Sequence, residues 1–174
     1  MKKLLTMAMF ASALMTGIQA CAQDEDKSKR PSPPAKVTEK IKSGATISID
    51  YSQPSIKGRT IGKDIEPMDG KVWRTGANEA TVFETDKDVT INGKKLPAGK
   101  YGLYSLFKGK DVTLIFNKTW KQWGTNYTEA DDALRVPAKY TVVTSPSEKM
   151  TFKISNSGVV SLLWGDRKVD FTVN

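Results

Sequence analysis

The sequence predicts an all-β fold: an antiparallel β-sandwich of roughly nine short strands with one long, partly irregular loop. Three observations carry this expectation. Beyond residue 37, apolar residues recur mostly with a period of two, which puts alternate side chains on opposite faces of a strand. Turn residues punctuate these runs at the spacing expected of sandwiches and barrels. Helical patterning is thin, with room for one short turn near residues 128–133, where Thr128 would cap.

Taken in order, residues 1–22 read as an export signal. Lys2 and Lys3 precede an apolar run over 4–17, and Ala20-Cys21-Ala22 supplies small residues behind it. The run is shorter than the ~20 apolar residues that span a bilayer. Two maturation routes are open. Cleavage after Ala22 uses the pattern formed by Ala20 and Ala22 and leaves Gln23 first. Alternatively, Ile18-Gln19-Ala20-Cys21 is a lipobox and Cys21 carries a lipid anchor, followed by the acidic run Asp24-Glu25-Asp26. Both place the protein in the periplasm or at the outer membrane or cell surface of a Gram-negative bacterium. The membrane would be met only through Cys21.

Residues 23–36 are charged and proline-rich with no large apolar side chain, so a disordered tether is expected there. Residues 37–174 form one domain of ordinary size. In it, 46–51 alternates and sets Ile47, Ile49 and Tyr51 on one face. Residues 80–84 are β-rich. Residues 89–91 run into Asn92-Gly93, a two-residue hairpin signal. Strands over 100–107 and 112–116 flank Gly109-Lys110. Strands over 140–144 and 150–154 are separated by Ser145-Pro146-Ser147. Strands over 159–164 and 168–173 flank Gly165-Asp166-Arg167, a closing hairpin. Residues 119–134 make the long loop.

Composition excludes much chemistry. The 174 residues include no His and one Cys. Triads that need imidazole, nearly all zinc, copper and non-haem iron sites, and an intramolecular disulfide therefore drop out. No cofactor and no metal is expected. The net charge is +8, falling to +6 once Lys2 and Lys3 leave with residues 1–20. The charges are interspersed and no basic stripe exists, so nucleic acid is not an expected partner.

One segment stands out for function. Between confident strands, residues 51–80 hold Arg, Asn, Glu, Trp and Gly at high density. Arg74 can pair bidentately with a carboxylate, Asn78 and Glu79 offer adjacent donors and acceptors, and Trp73 offers a flat ring. Tyr51 and Arg59 are their neighbours. Two readings stand. These six residues bind a polar ligand, such as a small molecule or a glycan, or an envelope protein. Alternatively, an Arg74–Glu79 pair beneath Trp73 locks a crossover onto the sandwich as part of a structural module. A third reading is a glycoside hydrolase built on Glu79 with Asp131 or Asp132. Glu129, Asp131 and Asp132 suit either a calcium site or a solvated loop, and the loop reading is favoured. Trp120, Trp123 and Tyr127 suit a sugar platform or a plug at the end of the sandwich.

The runs Tyr51-Ser52-x-Pro54-Ser55-x-Lys57-Gly58-Arg59, Lys71 through Thr81 (KVWRTGANEAT), and Leu96-Pro97-Ala98-Gly99-Lys100-Tyr101 resemble a family of exported bacterial proteins. The family is catalogued as domain of unknown function 2911, and the likeness covers about residues 32–174. It implies a signal sequence and an all-β fold, and it implies no established activity. This chain departs from the pattern where members carry aromatics: it has Ile61-Gly62-Lys63 and Pro67-Met68-Asp69-Gly70 instead.

Overall fold

A computed structural model describes residues 26–174. The signal segment, Cys21 and the first residues of the expected tether lie outside them. Ten strands follow in chain order. They are β1 (Pro34–Lys40), β2 (Thr46–Ser52), β3 (Val72–Trp73), β4 (Thr81–Thr85) and β5 (Val89–Ile91), then β6 (Lys94–Leu96), β7 (Gly99–Lys108), β8 (Asp111–Asn117), β9 (Asp132–Ile154) and β10 (Val159–Thr172). Short 3-10 turns occupy Lys27–Lys29 and Glu129–Asp131. Thr128 precedes the second turn as expected, but its side chain makes no capping bond.

All strand pairs are antiparallel. The main sheet runs β1-β2-β4-β7-β8-β9-β10, with β3 also on β7, and β5–β6 forms a separate hairpin. That hairpin turns at Asn92 (φ 47°) and Gly93 (φ 83°), the left-handed pair that the Asn-Gly signal predicts. The sheet curls on itself. Beyond β2, Ile56 N–H donates to Glu148 O at 3.0 Å and Met150 N–H donates to Pro54 O at 3.0 Å, so the far part of β9 returns to the β2 side. The enclosed core is aromatic at its centre. Phe83 meets Phe116 edge-on at 5.1 Å, and Tyr51 meets Phe152 at 5.0 Å. Ile47, Ile49 and Tyr51 are all buried there, as their alternation predicts. This is the sandwich-like all-β architecture expected from the sequence. The long loop after β8 covers the outer face of β7, where Tyr127 packs on Tyr104 at 4.9 Å.

Three expectations are corrected. First, the described part of the expected tether has defined structure. Pro34, Ala35 and Lys36 begin β1, paired with Ser52, Tyr51 and Asp50. β1 is an edge strand of alternating exposure, so it needs few large apolar residues. Second, Gly165-Asp166-Arg167 is not a hairpin. β10 runs straight through it, bending at a register shift where Gly165 has φ 59°. A Cβ on Gly165 would come within 2.5 Å of Ile61 Cδ1, so this glycine serves close packing of the crossover. Third, Ser145-Pro146-Ser147 does not divide two strands. Between Gly165↔Ser147 and Arg167↔Val142, β9 advances five residues while β10 advances two. The proline sits in that excursion, where no ladder bond is asked of it.

Candidate functional site

The candidate segment is an interruption in a strand. Trp73 of β3 pairs with Ser105 and Thr81 of β4 pairs with Leu103, so both strands lie along the same edge of β7. Residues 74–80 leave the ladder between them. The excursion closes on itself and on its neighbours. Trp73 Nε1 donates to Gly76 O at 3.0 Å, Thr81 Oγ1 donates to Thr75 O at 2.9 Å, and Ala77 N–H donates to Ser52 O at 3.3 Å. Gly76 is needed because a Cβ there would lie 2.7 Å from Thr81 Oγ1. Asn78 (φ 57°) and Thr75 (φ 48°) are left-handed. Asn tolerates that region; a β-branched Thr is strained there by ~1–2 kcal/mol. Thr75 is fully buried, and its hydroxyl lies 2.9 Å from Ser105 Oγ, so the surroundings hold the strain in place.

The expected Arg74–Glu79 pair does not form. Glu79 instead accepts from Arg30 Nη1 at 2.9 and 3.1 Å and pairs with Lys27 Nζ at 2.9 Å. Both cations come from the segment read as a tether. Burial pushes the Glu79 carboxyl up. The bonds from Lys27, its own backbone N–H and Arg30 outweigh this and hold it at about 2. Asn78 belongs to the same corner: its Nδ2 donates to Ser32 O at 3.1 Å. Asn78 and Glu79 therefore pin the strap of residues 26–33 to the body. Tyr51 is among the residues bordering a shallow cleft of about 190 Å³ with Glu79, but its ring lies in the core against Phe152, whose N–H donates to its hydroxyl at 3.3 Å.

Arg74 is in the opposite condition. Among the described residues, its Nε is the one buried side-chain N or O atom without a hydrogen-bond partner. The whole guanidinium makes no hydrogen bond or ion pair there. Burial lowers its pKa, with Glu66 and Tyr104 acting against that. The stem is clamped by the loop after β8: a Cβ on Gly124 would fall 1.9 Å from Arg74 Cδ. Arg74 lines a cleft of about 360 Å³ together with Arg59, Glu66, Trp73 and Trp164. On its other side a second cleft of about 230 Å³ reaches Thr125 and Tyr127.

Thus the six candidates split. Arg59, Trp73 and Arg74 meet at the larger cleft, while Tyr51 and Glu79 meet at the smaller one and Asn78 ties down the strap. Trp73 is not the open platform the sequence suggested. It is 3% exposed, packs on Phe107, and serves as a wall because its indole N–H is used within the excursion. The proposed carboxylate partners of Glu79 are engaged elsewhere. Asp132 accepts from Arg135, Asn117 and Tyr127, and Asp131 accepts from Thr119 Oγ1. The hydroxyl bond to Asp132 follows burial as a cause of the Tyr127 pKa being pushed up to about 12. Among the described residues no three His, Cys, Asp or Glu side chains gather as a metal set. Trp120 has Lys100 Nζ over its ring at 5.3 Å, and Trp123 is 48% exposed.

Sequence reasoning missed Lys27, Arg30, Glu66, Gly124 and Trp164. Arg30 lies in a segment without apolar periodicity, so no local pattern marks it. Trp164 carried a signal as a buried strand aromatic, but its bond from Nε1 to Glu66 O at 2.8 Å is set by the crossover.

The family model described as protein of unknown function, DUF2911, matches residues 32–173, and the chain belongs to that family. No curated protein and no solved structure matches it.

Proposed function

We propose that this family member is an exported, non-catalytic binding module that takes a small polar ligand in the cleft beside Arg74. One observation carries the reading: a guanidinium is built into a cleft wall with a buried Nε and no partner. The buried Nε is closed to an incoming oxygen, but the two Nη groups are not buried and have no partner among the described residues, so they are the donors such an oxygen would meet. A hydrogen bond to a charged group contributes about 1.5–3 kcal/mol. The apolar body of the ligand would rest against the edges of Trp73 and Trp164. Export rests on the Lys2-Lys3 signal pattern. A lipid at Cys21 would keep the cleft at a membrane, and the mass of the mature N-terminus distinguishes the two maturation routes.

The hydrolase reading is less well supported. A carboxyl held at about 2 carries no proton to donate near neutral pH, and neither Asp131 nor Asp132 lines a cleft with Glu79. The structural-module reading keeps support at the Glu79 corner, where Glu79 and Asn78 tie the strap to the body. The test is a thermal-shift screen of small polar compounds on the full chain and on Arg74→Met. Compounds that raise the melting temperature of the parent and leave Arg74→Met unmoved support the cleft. Equal shifts in both proteins refute it.

A further inference from the structure

We infer that the ligand of the Arg74 cleft is a compact oxyanion, a sugar acid or sugar phosphate of single-ring size, gripped by Arg74 with Arg59 beside it. This rests on the reading that the cleft is a binding site.

The charge inventory of the cleft argues for it. Four charged side chains line the cavity: Arg59, Asp64, Glu66 and Arg74. The two acids are already engaged by their own loop. Asp64 Oδ2 accepts from Thr60 N–H at 2.9 Å, and Glu66 Oε2 accepts from Met68 N–H at 2.5 Å. The two cations are not matched in this way. Arg59 is oriented by its bonds from Nε to Ile56 O at 3.0 Å and from Nη2 to Ser55 O at 2.6 Å. A guanidinium has five N–H donors, so donors remain on Arg59, and on Arg74 the two Nη groups remain while Nε is buried. Each acid is fixed within the loop by one backbone N–H, whereas among the described residues Arg59 commits two of its donors and Arg74 commits none. The missing complement is therefore an acceptor-only group with negative charge, and a carboxylate or phosphate matches the planar guanidinium fork.

Size sets the second limit. About 360 Å³ lies at the low end of small-molecule sites, which gives room for one ring. Position sets the third. Gly124 lies close against the Arg74 stem, which limits how far the side chain can move.

Calorimetry at low salt on the full chain tests this with three probes: glucuronic acid, glucose 6-phosphate and glucose. At least one acidic probe should bind roughly tenfold tighter than glucose, a 1.4 kcal/mol preference. Arg74→Met should erase that preference, and Arg59→Met should reduce it. Arg74→Lys keeps the charge without the fork and should weaken binding while folding normally; it stands in if Arg74→Met does not fold. Glu79→Gln, outside the cleft, should leave the preference unchanged. The stronger acidic probe separates carboxylate from phosphate. If glucose binds as tightly as both acids in an Arg74-dependent way, the oxyanion inference fails and the cleft reading stands. If none of the three binds, both fall.

Discussion

Arg74 and Glu79 stand at opposite ends of one seven-residue excursion, yet they have opposite surroundings. Glu79 collects Lys27 and Arg30, and its neighbour Asn78 collects the Ser32 carbonyl. Arg74 has no hydrogen bond or ion pair among the described residues. Opposite charges so near in sequence would be expected to pair, and they do not. The excursion turns Glu79 toward the strap and Arg74 toward the clefts on the crossover side. A polar corner with every partner supplied by the chain itself is a fastening. A charged group left open on a cleft wall is, on the proposed reading, a place for a ligand. The comparison therefore assigns two roles to a motif that reads in sequence as one constellation.

The comparison can be broken most severely at the wall beside Arg74. Trp73→Ala should lower stability by about 3–5 kcal/mol in chemical denaturation, because it empties a buried indole site and releases the Gly76 carbonyl. An open stacking platform would instead tolerate the change. Gly124→Ala should cost about 1–3 kcal/mol by overpacking, since the new Cβ falls on the Arg74 stem. If the clamp is real, this variant also loses the ligand response of Arg74.

A smaller effect is expected at the fastening. Glu79 is 36% exposed, so solvent screening limits Glu79→Gln to about 1 kcal/mol. The pH dependence has a definite sign. The folded-state pKa, about 2, lies below the ordinary 4.5, so this stabilisation is complete above about pH 4.5 and fades as pH falls toward 2. Melting curves of parent and Glu79→Gln should converge over that window. Curves that stay equally separated at every pH would mean that the carboxylate charge is not what fastens the strap. The smallest effect belongs to Arg74→Met, which keeps the apolar stem and removes an unpaired charge. Without ligand it should leave stability unchanged or raise it slightly.

Much of the fold was legible because strands announce themselves locally. Ile47, Ile49 and Tyr51 alternate into the core, and Asn92-Gly93 turns where it should. The failures came where local signals have two physical outcomes. Gly165 with Asp166 suits a turn or a bulge, and only the pairing of β10 along β9 selects the bulge. β1 was hidden because an edge strand beside a proline-rich segment needs little apolar surface. The site was legible in composition and illegible in pairing. Arg74, Glu79 and Trp73 were visible as chemistry. Which acid meets which base depended on Arg30, 49 residues from Glu79 and in a segment with no pattern to read.

The central claim is that Glu79 serves stability and Arg74 serves a ligand. It is tested most directly by the melting temperatures of Glu79→Gln and Arg74→Met, measured side by side at neutral pH without ligand. The account predicts a lower value than the parent for Glu79→Gln and an equal or higher value for Arg74→Met. A loss at Arg74→Met as large as that at Glu79→Gln would contradict it, because Arg74 would then be part of the fastening.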